Sequence, residues 1–225
     1  MKKLVGSVIA LVAMSHVVIG VSGSAHAQVD VICTGALANT VVQNVIVPFG
    51  AACTLTDMTV LGNVEVEETA RVTIRRGSVN GDVIGEQGST VRMVRGNVNG
   101  SVQGFAARLV SIAGTTIAKD IVSDGTQNLV VNTGARTGSI EVLKGGTASI
   151  SAVQIQGNLK FEENSGAVFA TGNTVSGNFE AYLNTGGATF NSNAITGNMQ
   201  CKENLPVPTG SGNTAAIKED QCATL

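Results

Sequence analysis

The feature that most constrains this chain is a short unit that keeps returning: glycine, then a small polar residue, then an aliphatic one. It reads Gly62-Asn63-Val64, Gly81-Asp82-Val83, Gly100-Ser101-Val102, Gly138-Ser139-Ile140, Gly157-Asn158-Leu159, Gly177-Asn178-Phe179 and Gly197-Asn198-Met199. The first five glycines fall at multiples of 19 residues and the last two intervals are 20. Gln43-Asn44-Val45 and Lys119-Asp120-Ile121 fill the remaining slots in phase, which predicts nine turns. A fixed period this short is the mark of a solenoid, in which no unit can bury its apolar face without its neighbours.

Within a turn, apolar residues recur two, four, ten, twelve and seventeen places after the glycine slot. In the turn from Gly62 these are Val64, Val66, Val72, Ile74 and Val79, and the next turns repeat them as Val83, Val91, Met93 and Val98, then Val102, Val110, Ile112 and Ile117. That is three short stretches of period-two alternation, the spacing of strands rather than helices. Three strands per turn predict an all-β, single-stranded parallel β-helix of triangular section, with each aliphatic residue stacked on its counterpart one turn away. Nine turns at the inter-strand spacing make a rod about 40 Å long.

The polar members of the unit, Asn44, Asn63, Asp82, Ser101, Asp120, Ser139, Asn158, Asn178 and Asn198, form one corner row suited to bonding turn backbone. Gly77, Gly96, Gly134 and Gly172 mark a second corner, where positive φ is expected. After Cys201 the period is lost, and Pro206 and Pro208 cannot donate to a ladder strand. The chain therefore divides into residues 28–42 as an N-terminal cap and partial turn, 43–201 as the solenoid, and 202–225 as a C-terminal cap.

Residues 1–27 read as a signal peptide. Lys2 and Lys3 precede an apolar run from Leu4 to Val21, and Ala25-His26-Ala27 offers a small-x-small cleavage site, so the mature chain begins at Gln28 and keeps no transmembrane anchor. Cleavage removes both histidines and two of the 14 basic residues, leaving 12 against 16 acids. A mildly acidic chain without tryptophan lacks the basic field and stacking rings of nucleic-acid binders. An exported chain is expected to pair its four cysteines. Three pairings exist, but with Cys33 and Cys53 at one end of a long stack and Cys201 and Cys222 at the other, only the two local bonds are reachable. Stapled ends should block end-to-end growth, leaving a monomer or a side-to-side oligomer.

The Gly-Asn-Val units, ending in Gly197-Asn198-Met199-Gln200-Cys201 and followed by Asn204, Pro206, Pro208, Gly210, Gly212-Asn213 and Lys218-Glu219-Asp220-Gln221-Cys222, resemble a group of secreted bacterial β-solenoid proteins with no assigned activity. The resemblance covers nearly all of the mature chain. The repeat style alone also resembles bactofilin-like polymer-forming β-helices, which favours a right-handed coil, with a left-handed triangular coil, whose turns are of similar length, as the alternative. Bactofilins are cytoplasmic or membrane-associated and polymerise through open ends; the export signal and the cysteines depart from that pattern.

Enzyme readings find little to stand on. Hexapeptide-repeat acyltransferases use a histidine base, and the mature chain has none. Polysaccharide lyases and glycosidases on β-helices wall their clefts with long, unequal loops, whereas these turns hardly vary in length. Asp82 and Asp120 share the corner row two turns apart with Ser101 between them, offering an acid/base pair or cation site; the plainer reading is two members of a structural row. Arg71, Arg75, Arg76, Arg92, Arg95 and Arg108 cluster in three turns as a candidate patch for anionic ligands. Glu65, Glu67, Glu68 and Glu86 lie in the same turns and could neutralise it. The outward row Thr54, Thr73, Arg92, Ser111, Val130, Ser149, Val168 and Thr189 is too mixed for ice binding. Phe49, Phe105 and Tyr182 are expected outside, and Phe161, Phe169, Phe179 and Phe190 inside.

These observations predict a secreted or cell-surface structural and interaction protein that is not an enzyme and needs no cofactor or metal. Its candidate partners are cell-wall or matrix polysaccharide or a surface protein. The alternative is a carbohydrate-binding or polysaccharide-active β-helix.

Overall fold

The computed structural model describes residues 30–225, so the predicted signal peptide lies outside the described residues. Three parallel sheets of 11, 10 and 9 strands run the length of the molecule, one along each side of a triangular coil. The turn from Gly62 contributes Val64–Val66 to the first sheet, Arg71–Arg75 to the second and Ser78–Val79 to the third. Each pairs with its counterpart one turn away: Val64 with Val83, Val72 with Val91, Val79 with Val98. Val64, Val66, Val72, Ile74 and Val79, all predicted inward, are at most 2% exposed. No helix among the described residues is long and apolar enough to cross a membrane.

The corner between the third and first sheets explains the repeated unit. The side-chain oxygen of each polar residue accepts the backbone N–H of its successor one turn on: Asn44 from Asn63 at 2.7 Å, Asn63 from Asp82 at 2.9 Å, Asp82 from Ser101 at 2.7 Å, Asp120 from Ser139 at 2.6 Å. Ser139, Asn158 and Asn178 continue the ladder to Asn158, Asn178 and Asn198. The glycine before each polar residue is demanded by space. A Cβ at Gly81 would stand 2.1 Å from the Asn63 oxygen and 2.6 Å from the Gly62 carbonyl; at Gly177 the gaps are 2.2 Å to Asn158 and 2.7 Å to Gly157. Where Lys119 replaces that glycine, Asp120 makes no bond to Ser101, and the ladder loses one rung.

Four expectations need correction. The turns number about ten, because residues 30–42 form a complete turn with strands Val31–Ile32, Ala36–Ala38 and Val41–Val42. Val31 pairs with Val45 only 14 residues later, and the turn carries no glycine unit, which hid it from the period. At the other end the cap adds strands itself, Thr209–Ser211 to the second sheet and Lys218–Asp220 to the first, before Cys222 and Leu225 bury themselves over the core. Positive φ at the second corner belongs to Asp57, Arg76, Arg95, Gly114, Gly134, Ala152, Gly172, Ser192 and Gly212, so Gly77 and Gly96 do not supply it. Those two face inward one residue later, where a Cβ on Gly96 would sit 2.6 Å from the Gly77 carbonyl. Finally, the twentieth residue of the turn from Gly157 enters between its first and second strands, so Ala148 pairs with Val168, which is buried, while Phe169 points outward, 41% exposed.

The last turns also have a different interior. Phe161, Phe179 and Phe190 pack as a ring cluster, with the Phe179 and Phe190 centroids 4.7 Å apart, and Ala170, Ala181 and Ala188 make room beside them. Two corners that hold small or apolar residues in earlier turns become amide ladders here, Asn164-Asn184-Asn204-Gln221 and Asn173-Asn193-Asn213. The Asn184 amide donates to Asn204 at 2.7 Å and to the Phe161 carbonyl at 3.1 Å, while its oxygen accepts the Asn164 amide at 2.8 Å. By contrast the buried Ser89 and Ser123 hydroxyls have no partner among the described residues. Both disulfides are present, Cys33–Cys53 and Cys201–Cys222, with Cα–Cα distances of 5.6 and 5.0 Å.

Three substitutions separate these contributions in urea unfolding with the disulfides intact. Gly177→Ala should cost about 1–3 kcal/mol by overpacking the corner. Asn184→Ala should cost at least as much, since it strands buried donors and an acceptor at about 1–3 kcal/mol each. Ser123→Ala should be neutral or slightly stabilising.

Candidate functional site

The six arginines of the candidate patch do not form one site. Arg71 and Arg75 lie at the two ends of Arg71–Arg75, on the outer face of the second sheet, and Arg92 lies at the centre of Thr90–Val94 in the next turn. Arg108 immediately precedes Leu109–Ala113 in the turn after that. Arg76 and Arg95 occupy the left-handed position of the second corner, at φ 52° and 53°. Sequence alternation places the strand arginines: Val72, Ile74, Val91 and Met93 must point inward, so the residues on either side of each point out.

Arg76 is already engaged. Its Nε and a terminal nitrogen donate to both carboxylate oxygens of Asp57, at 2.9 and 2.8 Å. This fork holds the Asp57 carboxyl below the ordinary aspartate range and raises Arg76 further, the hydrogen bond contributing most in each case. Asp57 stands 19 residues before Arg76 at the equivalent left-handed position, a signal that was present in the sequence but overlooked. The glutamates proposed to neutralise the patch do not reach it. Glu65 faces outward from the first sheet, and Glu67, Glu68 and Glu86 surround Phe49 at the corner between the first and second sheets, where Glu67 accepts the Phe49 N–H. Among the described residues Arg71, Arg75, Arg92, Arg95 and Arg108 make no ion pair.

Arg71, Arg92 and Arg108 instead border one depression of about 140 Å³, lined also by Thr73, Thr90 and Leu109. Thr90 is 9% exposed, and its hydroxyl makes no hydrogen bond among the described residues while staying open to solvent. The threonines were not singled out in sequence because Thr90 sits at an outward position, where neighbours rather than alternation bury it.

Asp82 and Asp120 take the place of corner residues. Each commits one carboxylate oxygen to a backbone N–H, of Ser101 and Ser139 respectively. No group of three or more histidine, cysteine, aspartate or glutamate side chains among the described residues is placed to hold a metal ion. On the first sheet Glu141, Lys160 and Glu180 stack in one outward column, and Lys160 is raised chiefly by its 2.7 Å bond to Glu162. Burial raises the Tyr182 phenol, with Glu180 nearby adding to the effect. Phe49 and Phe105 stand outside at 71% and 39% exposed.

Comparison with known proteins returned no matching family model, no matching curated protein and no matching solved structure.

The Asp57–Arg76 fork makes a sign-definite prediction. In an NMR titration Asp57 should ionise below the ordinary aspartate midpoint, and Arg76→Ser should move that midpoint up. The folded-state pKa being depressed, any stability the pair supplies is present above the unfolded aspartate pKa and lost as pH falls through the folded one.

Proposed function

We propose that the protein is a non-catalytic contact rod of the bacterial exterior, secreted or held at the cell surface, whose flat sides bind cell wall, matrix or a partner protein. One observation carries this reading: three unbroken sheets whose corners stay nearly constant in length, so that no loop rises to wall a cleft. The depressions are shallow and lie on strand faces and corners; the one around Asp57 and Arg76 measures about 360 Å³. Paired cysteines at both ends fit an oxidising compartment. The export reading rests on the processing site that ends at Ala27.

The alternative, a carbohydrate-binding β-helix, is favoured by the depression bordered by Arg71, Arg92 and Arg108, and is compatible with a contact rod. A polysaccharide-active enzyme is the competing class. Incubation of disulfide-intact protein with acidic and neutral polysaccharides, followed by assays for reducing ends and unsaturated products, should give no turnover. Product formation would end the contact-rod reading, and mass spectrometry of exported protein that still began at Met1 would end the signal-peptide reading.

A further inference from the structure

We propose that the depression bordered by Arg71, Arg92 and Arg108 is a binding site for a carboxylate-bearing polysaccharide. The proposal deepens the contact-rod reading by naming the ligand of one side. Its first support is uncompensated charge: three guanidinium-bearing side chains on three successive turns of one sheet face make no ion pair among the described residues. Their neighbours in register are neutral, Thr54, Thr73 and Ser111 in the Arg92 column and Ala52 and Thr90 in the Arg71 column. The acids of the same turns lie on another side or another corner.

The second support is independent of charge. Thr90 lines the depression while nine-tenths buried, with a hydroxyl that bonds nothing among the described residues. Its hydroxyl is open to solvent in the depression, so it is free to bond a ligand there. A sugar ring lying over it offers hydroxyls, and Thr73 beside it offers a second partner. A polyphosphate would engage the arginines and accept from the threonine hydroxyls as well, so it serves as a competitor in the test.

Geometry selects a polymer over a small anion. Arg71 and Arg108 are two turns apart, roughly 10 Å along the rod at the strand spacing. One carboxylate is too small to span that distance, so carboxylates repeated along a chain match the three guanidinium groups better than a single small anion does. The surface beyond allows such a chain to continue. From Asn128 to Ser211 the outward residues of this sheet, Ser149, Thr171, Thr189 and Thr209 among them, carry no charge.

The test is binding of full-length mature, disulfide-intact protein to immobilised polygalacturonate, with dextran, dextran sulfate and polyphosphate as competitors. Binding should weaken as salt rises. The exposed pair Arg71→Ser/Arg92→Ser should lower affinity by about tenfold or more, the two lost charge-assisted forks together being worth at least that factor. Thr90→Val should weaken it less, while Arg76→Ser and Arg136→Ser, the latter in Arg136–Thr137 of the third sheet, should leave it within about twofold, a difference well under 1 kcal/mol. Circular dichroism and the thermal midpoint verify that each variant is folded. No binding by the wild type, equal binding by the Arg71/Arg92 variant, or equal loss on Arg136→Ser would overturn the proposal. Stronger competition by dextran sulfate or polyphosphate than by free polygalacturonate would overturn the assignment to carboxylates. Cleavage of the polymer would contradict the contact-rod reading, whereas absence of binding without cleavage contradicts the ligand alone.

Discussion

At the seven glycine-bearing corners between the third and first sheets the backbone lies so close to that of the turn before it that a side chain cannot fit between them. Glycine at Gly62, Gly81, Gly100, Gly138, Gly157, Gly177 and Gly197 makes that approach possible, and the next residue turns the closeness into a bond by accepting an N–H from the turn above. One corner thereby sets the rise and register of every turn. The exception supports the account: at Lys119 the glycine is gone, and the rung from Asp120 to Ser101 is missing with it. The chain continues because the three sheets on either side still pair in register.

Register fixed at the corner organises both surfaces of the coil. Inside, like stacks on like, which permits valine and isoleucine columns in the early turns and a phenylalanine cluster with alanines in the later ones. The amide ladders appear in the same late turns, where each asparagine carries its hydrogen bonds to the next and Gln221 ends one series. Outside, side chains of one column stand about 4.8 Å apart, close enough for charges to act together. Arginines collect on the early part of the second sheet, while Glu141, Lys160 and Glu180 alternate on the first. The sides are thus chemically distinct although built from one repeat.

The period, the inward aliphatic rows and the polar corner row were legible because each depends on residues at a constant offset from the glycine, and both disulfides because the cysteines lie in pairs at the two ends of the stack. What was missed depends on where an inserted residue sits. The count of 20 residues after Gly157 does not say that the addition precedes the second strand, and only the pairing of Ala148 with Val168 turns Phe169 outward. Positive φ was assigned to Gly77 and Gly96 because glycine tolerates it, whereas Arg76 and Arg95 adopt it one residue earlier, held by flanking strands. The ladder asparagines recur at 20-residue spacing, yet asparagine is also the common corner residue, so composition masked their burial. For the candidate site the arginines were legible, but their division was not. It required knowing that Asp57 reaches Arg76 and that the glutamates face elsewhere.

Native-state hydrogen exchange on the disulfide-intact protein tests the corner mechanism most directly. If side-chain acceptors one turn away hold the stack in register, the amides of Asn63, Asp82, Ser101, Ser139, Asn158, Asn178 and Asn198 will exchange slowly, and the Asp120 amide will exchange fast between protected neighbours. Fast exchange along the whole row, or protection of Asp120 equal to that of Ser101 and Ser139, would contradict the account.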